Sequence, residues 1–499
     1  MRSALLQKLL DKQKQTKYGD FVAKNQWNEL HTNVYNGTTK LDDILPPLID
    51  SGKLINFTQY VATVEPNPTN IKILTQLINK LPSDQLSELT PFFKNLVLGF
   101  TQFQSQIVDM LVRSFFITDS TAFVDTLVTL LEAIPSIHSS ISSSITKFFP
   151  QTNFPVEQQV RFLRSSLILC RASNDVAFSS LGRIFQHLVA LDCELLLDSS
   201  DSNDNSNSLR LDDDVAQCFI PQLHLFLDFA VSSNETIFTL LLQFFDRYLI
   251  DLPRVVAVQF IYFFSSSLKH SNVETFIGFL LAKMLNDSDS DRSRCNAALY
   301  IESLIVHARF VDDNFAILAV DYVSDFANCY ANHIRNEAPE RLRMDVKMHN
   351  VYYFAVQCVV YIICWRWKRW TSKSKKVDQK INIVERWHID ELLCNELRAI
   401  DVIDKNTSDM IKSLNLFDIK DESIVIERIS VWFPFDPCPL EEIANDVMDN
   451  YILWSEADAD VEYNEDEDLD SLLNNELSRL CENRIFNFDL NFPSGSQNM

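Results

Sequence analysis

Apolar residues recur at helical spacing along almost the whole of this 499-residue chain, and the alternation that marks a strand is nearly absent. In Asn70–Leu81, NIKILTQLINKL, the residues Ile71, Ile73, Leu74, Leu77, Ile78 and Leu81 fall mainly on i, i+3, i+4, i+7 positions. That is the stripe of a helix with one buried face. Pro82-Ser83-Asp84 breaks the run, and LSELTPFFKNLVLGF begins the next. Comparable runs cover Ala122–Ile134, Val156–Leu169, Gly182–Leu191, Ile237–Ile250, Val255–Leu268 and Thr275–Leu285. Asn296–Ala308, Asn314–Ala331 and Val351–Trp367 follow, with short turns between. A single globular core of this size would split into domains. A stack in which each helix pair touches only its neighbours has no such limit. The expected fold is therefore all-α: a HEAT/armadillo-like α-solenoid of stacked antiparallel helix pairs over residues 1–455.

Two acidic segments leave this pattern. Asp198–Asp214, DSSDSNDNSNSLRLDDD, has almost nothing apolar with which to repay ordering entropy, so a flexible acidic loop is expected at about 198–215. Beyond Trp454 the run SEADADVEYNEDEDLD opens an acidic, largely flexible tail over 456–499. Either segment serves as solvated surface, as a site of charge regulation, or as a shield against nucleic acid.

Composition removes most chemistry. The 7 glycines never stand closer than 15 positions, so neither a P-loop nor a dinucleotide fingerprint can be written. The same scarcity excludes a GxSxG nucleophile elbow. Among 10 cysteines the closest pair is Cys358 and Cys364, so no CxxC exists for zinc or redox work, and the 9 histidines form no HxxxH pair. Paired acids such as Asp312-Asp313 and Glu441-Glu442 are what an acidic surface yields. Lone histidines such as His187 and His307 on apolar faces suit a core. No catalytic, cofactor-binding or metal-ligating residue is expected, and the chain is read as a non-enzyme. The start, MRSALLQKLLDKQKQ, is too polar for a secretory leader, which points to a reducing compartment with cysteines buried as small hydrophobes. Val351–Trp365, VYYFAVQCVVYIICW, is short for a bilayer span and contains Gln357, so a buried core helix is expected there and no membrane partner.

The most specific string is VWFPFDPCPLEEI, Val431–Ile443. Prolines at 434, 437 and 439 keep the chain extended up to Asp436. Asp436 is then expected to cap a helix holding Pro437 in its first turn, with Glu441 and Glu442 near the positive end of the dipole. FPFDP followed by Tyr451 and Trp454 also resembles the C-terminal signature of the RNA polymerase I-specific transcription initiation factor IA family. His349, Tyr352, Tyr353, Gln357, Tyr361, Cys364 and Arg366 keep the spacing of a helix in that family. Ala298, Tyr300, Ile301, Ser303, Ala308 and Arg309 resemble another segment, with Glu302 in place of the family's glycine. Leu252, Pro253, Val258, Gln259 and Phe260 resemble a third. Leu191, Asp192 and Glu194 match a fourth, after which the family carries an acidic loop. The resemblance runs in order from about Lys80 to Asp470 and is loosest in the N-terminal third.

The resemblance implies a HEAT-type solenoid that binds and does no chemistry, acting in the nucleus and nucleolus. It implies docking on RNA polymerase I near the stalk and contact with the promoter-bound core factor, bridging enzyme to ribosomal DNA promoter, with DNA contact at most auxiliary. It leaves the free chain either monomeric or homodimeric. It also implies a serine patch that faces the polymerase and is inhibited by phosphorylation. Here Ser83, Ser87, Ser136, Ser139, Ser140 and Ser143 match that description. A helix through IPSIHSSISSSITKFFP puts Ile137, Ile141 and Ile145 on one face and leaves Ser136, Ser139, Ser140 and Ser143 off it. Serine is also a common filler of exposed helix faces. A basic loop is expected at about 366–380, with Arg366, Lys368, Arg369, Lys373, Lys375 and Lys376 among tryptophans. It reads as a solvated helix end, a promoter or polymerase contact, or a nuclear import signal. The alternative to the whole reading is a general HEAT-repeat scaffold or nuclear transport receptor.

Overall fold

The computed structural model describes residues 25–81, 83–116, 121–200, 214–231, 235–337, 339, 346–372, 383–416, 427–438 and 440–457. Most of the acidic segment expected at 198–215, and nearly all of the tail over 456–499, lie outside the described residues. The described residues form helices and connecting turns with no strand, and their one β contact is an isolated antiparallel bridge between Ala308 and Tyr451. The all-α, repeat-like class is as expected. Compact packing divides the chain into two units, Met1–His187 and Leu188–Met499.

The first unit begins with α1 (25–35), α2 (Leu41–Asp50), α3 (Leu54–Thr63) and α4 (Pro68–Ile78). It continues through α5 (Thr90–Gly99), α6 (Gln104–Arg113), α7 (Ala122–Ala133), α8 (His138–Phe148) and α9 (Val156–Ala172). Helix α10 (Asn174–Ser200) is divided between the units. Packing skips one helix at a time: α5 lies on α7, α6 on α8 and α7 on α9, the signature of two stacked layers. Local chemistry sets the ends. Asn67 caps α4 by accepting from the Asn70 amide at 2.9 Å, with Pro68 preset at the first position. The expected face of this helix is buried at Ile73, Leu74, Leu77 and Ile78.

The second unit contains α11 (Asp214–Val231), α12 (Glu235–Phe244), α13 (Phe260–Ser267), α14 (His270–Leu285), α15 (Asp291–His307), α16 (Asp313–Glu337) and α17 (Asn350–Ser372). Shorter pieces follow: α18 (Ile383–Trp387), α19 (Ile389–Cys394), α20 (Ala399–Val402), α21 (Lys405–Ser413), α22 (Glu441–Val447) and α23 (Trp454–Ala457). Two expected helices are cut. Ile237–Ile250 ends its α-helix at Phe244 and passes through a π turn, Phe245–Leu249. Phe245 there is fully buried, edge-on to Tyr262, Phe276 and Tyr300. Val255–Leu268 becomes helical only at Phe260, because the turn before it is clamped. The buried Asp192 carboxylate accepts from the amides of Val256 (2.5 Å), Ala257 (2.8 Å) and Val258 (2.7 Å). Burial pushes this carboxyl up, to about 6, against the pull of the three amides.

Helix α17 is the long apolar helix, and it is buried in the second unit. Its polar residues are satisfied inside the core. Tyr352 donates to the Leu392 carbonyl (2.9 Å) and Tyr353 to that of Leu397 (3.0 Å). Gln357 donates to Thr407 Oγ1 (2.9 Å) and accepts from the Asp404 amide (3.1 Å), while Asp404 itself caps α21. Cys170, Cys218, Cys295, Cys358, Cys364 and Cys438 are buried as expected, whereas Cys329 and Cys394 are exposed.

The FPFDP segment is a strap laid across α13, α15 and α17. Phe433 stacks on Tyr361 at 4.5 Å. Fully buried Phe435 meets the rings of Phe260, Phe263 and Tyr300. Its amide donates to Ser303 Oγ (2.8 Å) and its carbonyl accepts from Tyr451 (2.6 Å), while the Pro434 carbonyl accepts from Gln259 (2.9 Å). The Ile452 amide donates to the His307 carbonyl at 2.7 Å, and Trp454 packs edge-on to Trp365. The expectation that Asp436 caps a helix is overturned. The chain stays non-helical until Glu441, Leu440 occupies the cap position, and exposed Asp436 lies 3.6 Å from His307 instead. Glu441 and Glu442 do open the helix.

Glu302, on α15, is fully buried, and neither carboxyl oxygen has a well-formed hydrogen bond among the described residues. Desolvation, reinforced by Asp404 and Asp436, holds its carboxyl well above the usual range. Above the unfolded pKa the folded state therefore binds more protons than the unfolded state, and stability falls as pH rises toward the folded value. Glu302→Gln should remove that slope: by urea titration the variant gains on the parent as pH rises above the ordinary glutamate range. Asp192→Asn places an NH2 against amide donors and should cost about 1–3 kcal/mol in the same titration.

Candidate docking surface

In the first unit the serine-rich segment forms a 3-10 turn, Pro135–Ile137, and then α8. Ile137, Ile141 and Ile145 have no solvent exposure, as their i, i+4 spacing requires. Ser136, Ser139 and Ser143 are exposed and Ser140 is half-buried, so the opposite face carries neutral hydroxyls. Ser142 and Ser144 point inward, and Ser144 donates to Asp109 at 2.5 Å. Ser83 and Ser87 belong to the 3-10 stretch Ser83–Leu89, and their side chains lie outside the described residues.

The end of α8 carries cations that the sequence reading did not include. Lys147 and Arg113 lie over the Phe148 ring, at 4.9 and 5.1 Å from its centroid. Arg183 lies over the ring of Phe149 at 5.1 Å. These residues come from α8, α6 and α10, so no local pattern in the sequence signals them.

The basic cluster is corrected in part. Helix α17 continues through Ser372, so the expected loop is helical at its start. Arg366 is buried and cannot serve as a surface contact. It donates to the Ile305 carbonyl, to that of Ala308 (3.3 Å) and to Asp313 (3.5 Å). Arg369 is half-buried against Asp313 at 2.9 Å, and Trp370 donates to the same carboxylate at 3.3 Å. Desolvating a guanidinium demands such partners, and the helix register turns Arg366 toward α15 and α16. Lys368 is exposed. Lys373, Lys375 and Lys376 lie outside the described residues.

Most of the residues that carry the family resemblance thus serve the core. The Asp192 segment and the turn after Leu252 meet in the carboxylate clamp. Tyr300, Ser303, Gln259 and Phe260 receive the strap. His349 bonds Tyr330 at 2.8 Å.

Comparison with known proteins agrees with this packing. The family described as "RNA polymerase I specific transcription initiation factor RRN3" matches residues 51–217 and 228–398, more than half of the chain. The chain is similar to the RNA polymerase I-specific transcription initiation factor rrn3 of Schizosaccharomyces pombe, 21% identical over 456 residues, covering 76% of this chain and 75% of that protein. It is also similar to the RRN3 factor of Mus musculus, 22% identical over 257 residues, covering 46% of this chain and 39% of that protein. The crystal structure of RNA polymerase I transcription initiation factor Rrn3 superposes with a TM-score of 0.63 at 18% identity, covering 87% of this chain and 99% of that chain. That likeness shows the shared helical fold. The chain belongs to the RRN3 family of RNA polymerase I-specific transcription initiation factors.

Proposed function

We propose that this chain binds RNA polymerase I and bridges it to the promoter-bound core factor at ribosomal DNA, acting in the nucleus and nucleolus. Family membership supports the polymerase, and the hydroxyl face of α8 supports the place of contact. A face of Ser136, Ser139, Ser140 and Ser143 above a buried isoleucine row is neutral, small and rigidly backed. It can hydrogen-bond a partner surface without desolvating a charge. A phosphate there adds about −1.5 to −2 charges and repels acidic neighbours, which makes the same face a switch. Ser83 and Ser87 extend the proposed patch. Lys368 and its basic neighbours downstream are at most an auxiliary contact.

Size-exclusion chromatography with RNA polymerase I, and with RNA polymerase II as control, tests the reading. Selective co-elution with the first enzyme is expected. Co-elution with neither returns the general scaffold to first place. The variant S136D/S139D/S143D should bind RNA polymerase I at least ~10-fold more weakly, about 1.4 kcal/mol, with an unchanged melting temperature. Unchanged affinity removes α8 from the contact.

A further inference from the structure

We propose that the cationic end of α8 receives an acidic, Asp/Glu-rich segment of the protein partner that lies along the serine face. Identifying that partner with RNA polymerase I rests on the proposed function; the chemistry of the segment does not.

Arg113, Lys147 and Arg183 are all exposed, and they converge on two consecutive rings, Phe148 and Phe149. A ring attracts a cation through its quadrupole but leaves the full charge in place. It also confines a long side chain, so less rotamer freedom is lost when an anion binds. Asp109 is the counter-charge the site shows: it pairs with Lys147 at 2.6 Å and accepts from Ser144. Among the described residues, Lys147 is the one of the three cations paired with a carboxylate.

Charge along the chain points the same way. Residues 25–187 carry 11 basic and 13 acidic side chains, net −2, against 27 and 53 in residues 188–499, net −26. An acidic partner segment is repelled far less by this unit than by the rest of the chain, and the three cations attract it locally. Nucleic acid fits less well. Three cations fall short of the roughly 6–10 phosphate contacts of a DNA-binding protein, and the chain as a whole repels a polyanion.

The placement also explains how a phosphate would act. Ser143 and Lys147 stand one helical turn apart on the same side of α8. A phosphate on Ser143 takes Lys147 for itself and places its negative charge where the partner's carboxylates would sit.

The test uses the full chain and a fluorescein-labelled peptide of ten glutamates, read by anisotropy at two salt concentrations. R113E/R183E should weaken binding by ~10-fold or more, with the parent's affinity falling steeply with salt. R113K/R183K should keep most of the affinity, and K72E, at an exposed lysine of the same unit, all of it. R113Q/R183Q replaces the reversal if the latter lowers the melting temperature. Equal peptide affinity in R113E/R183E and parent overturns the proposal. An oligothymidylate of equal length that binds as tightly as the peptide overturns the choice of a protein segment. Lost peptide binding with unchanged RNA polymerase I binding upholds the acidic segment and rejects polymerase docking on this face.

Discussion

A helix buried along most of its length must find a partner for each polar group it takes inside, and α17 imposes that condition on the second unit. Tyr352, Tyr353, Gln357 and Arg366 all enter the core. Each would cost several kcal/mol without a hydrogen bond, and more for the guanidinium. Their partners are the carbonyls of Leu392 and Leu397, the Thr407 hydroxyl and Asp404 amide, and the Ile305 carbonyl with Asp313. Those groups lie on α15, on α16 and in the chain from α19 to α21. The need for satisfaction therefore fixes where these pieces sit, beyond what hydrophobic burial alone would specify.

This arrangement separates resemblance from contact. The motifs shared with the family are mostly residues that pack or bond inside the second unit. Shared motifs therefore report shared packing, and the proposed docking face lies in the first unit, where the resemblance is loosest. A neutral hydroxyl face needs only small polar residues at the right helical positions, which many sequences can supply. A core glutamine bonded to a specific threonine cannot drift so freely. Glu302 is the informative exception: where relatives are expected to carry glycine, this chain accommodates a buried carboxyl.

Periodicity made most helices legible, and the isoleucines at 137, 141 and 145 correctly divided the serines of α8 into exposed and buried. What stayed hidden depends on distant partners. The run from Trp365 to Trp370 read as a helix end because its charge looked solvated. Asp313, 53 positions earlier, draws Arg366 inward. Asp436 had the composition of a cap, yet it closes a turn by donating its amide to the Phe433 carbonyl at 3.2 Å, beside the buried Phe435, and the helix begins only at Glu441. The start of α13 was placed too early because the Asp192 clamp reaches across 64 positions. The cations around Phe148 and Phe149 come from three helices, so no window of sequence contains them.

The strap gives the second unit a clock. Gln259 is made long before Pro434, the acceptor of its hydrogen bond 175 positions later. At about 5–20 residues per second on the ribosome, that gap lasts about 9–35 s. Through this interval Phe260 and Phe263 wait for the phenylalanine that covers them, joined by Tyr300 once it is made. The nascent chain therefore shows an aromatic surface that the finished protein hides. Any factor that shields apolar surface during synthesis has its natural target there, and loses it when Phe435 arrives.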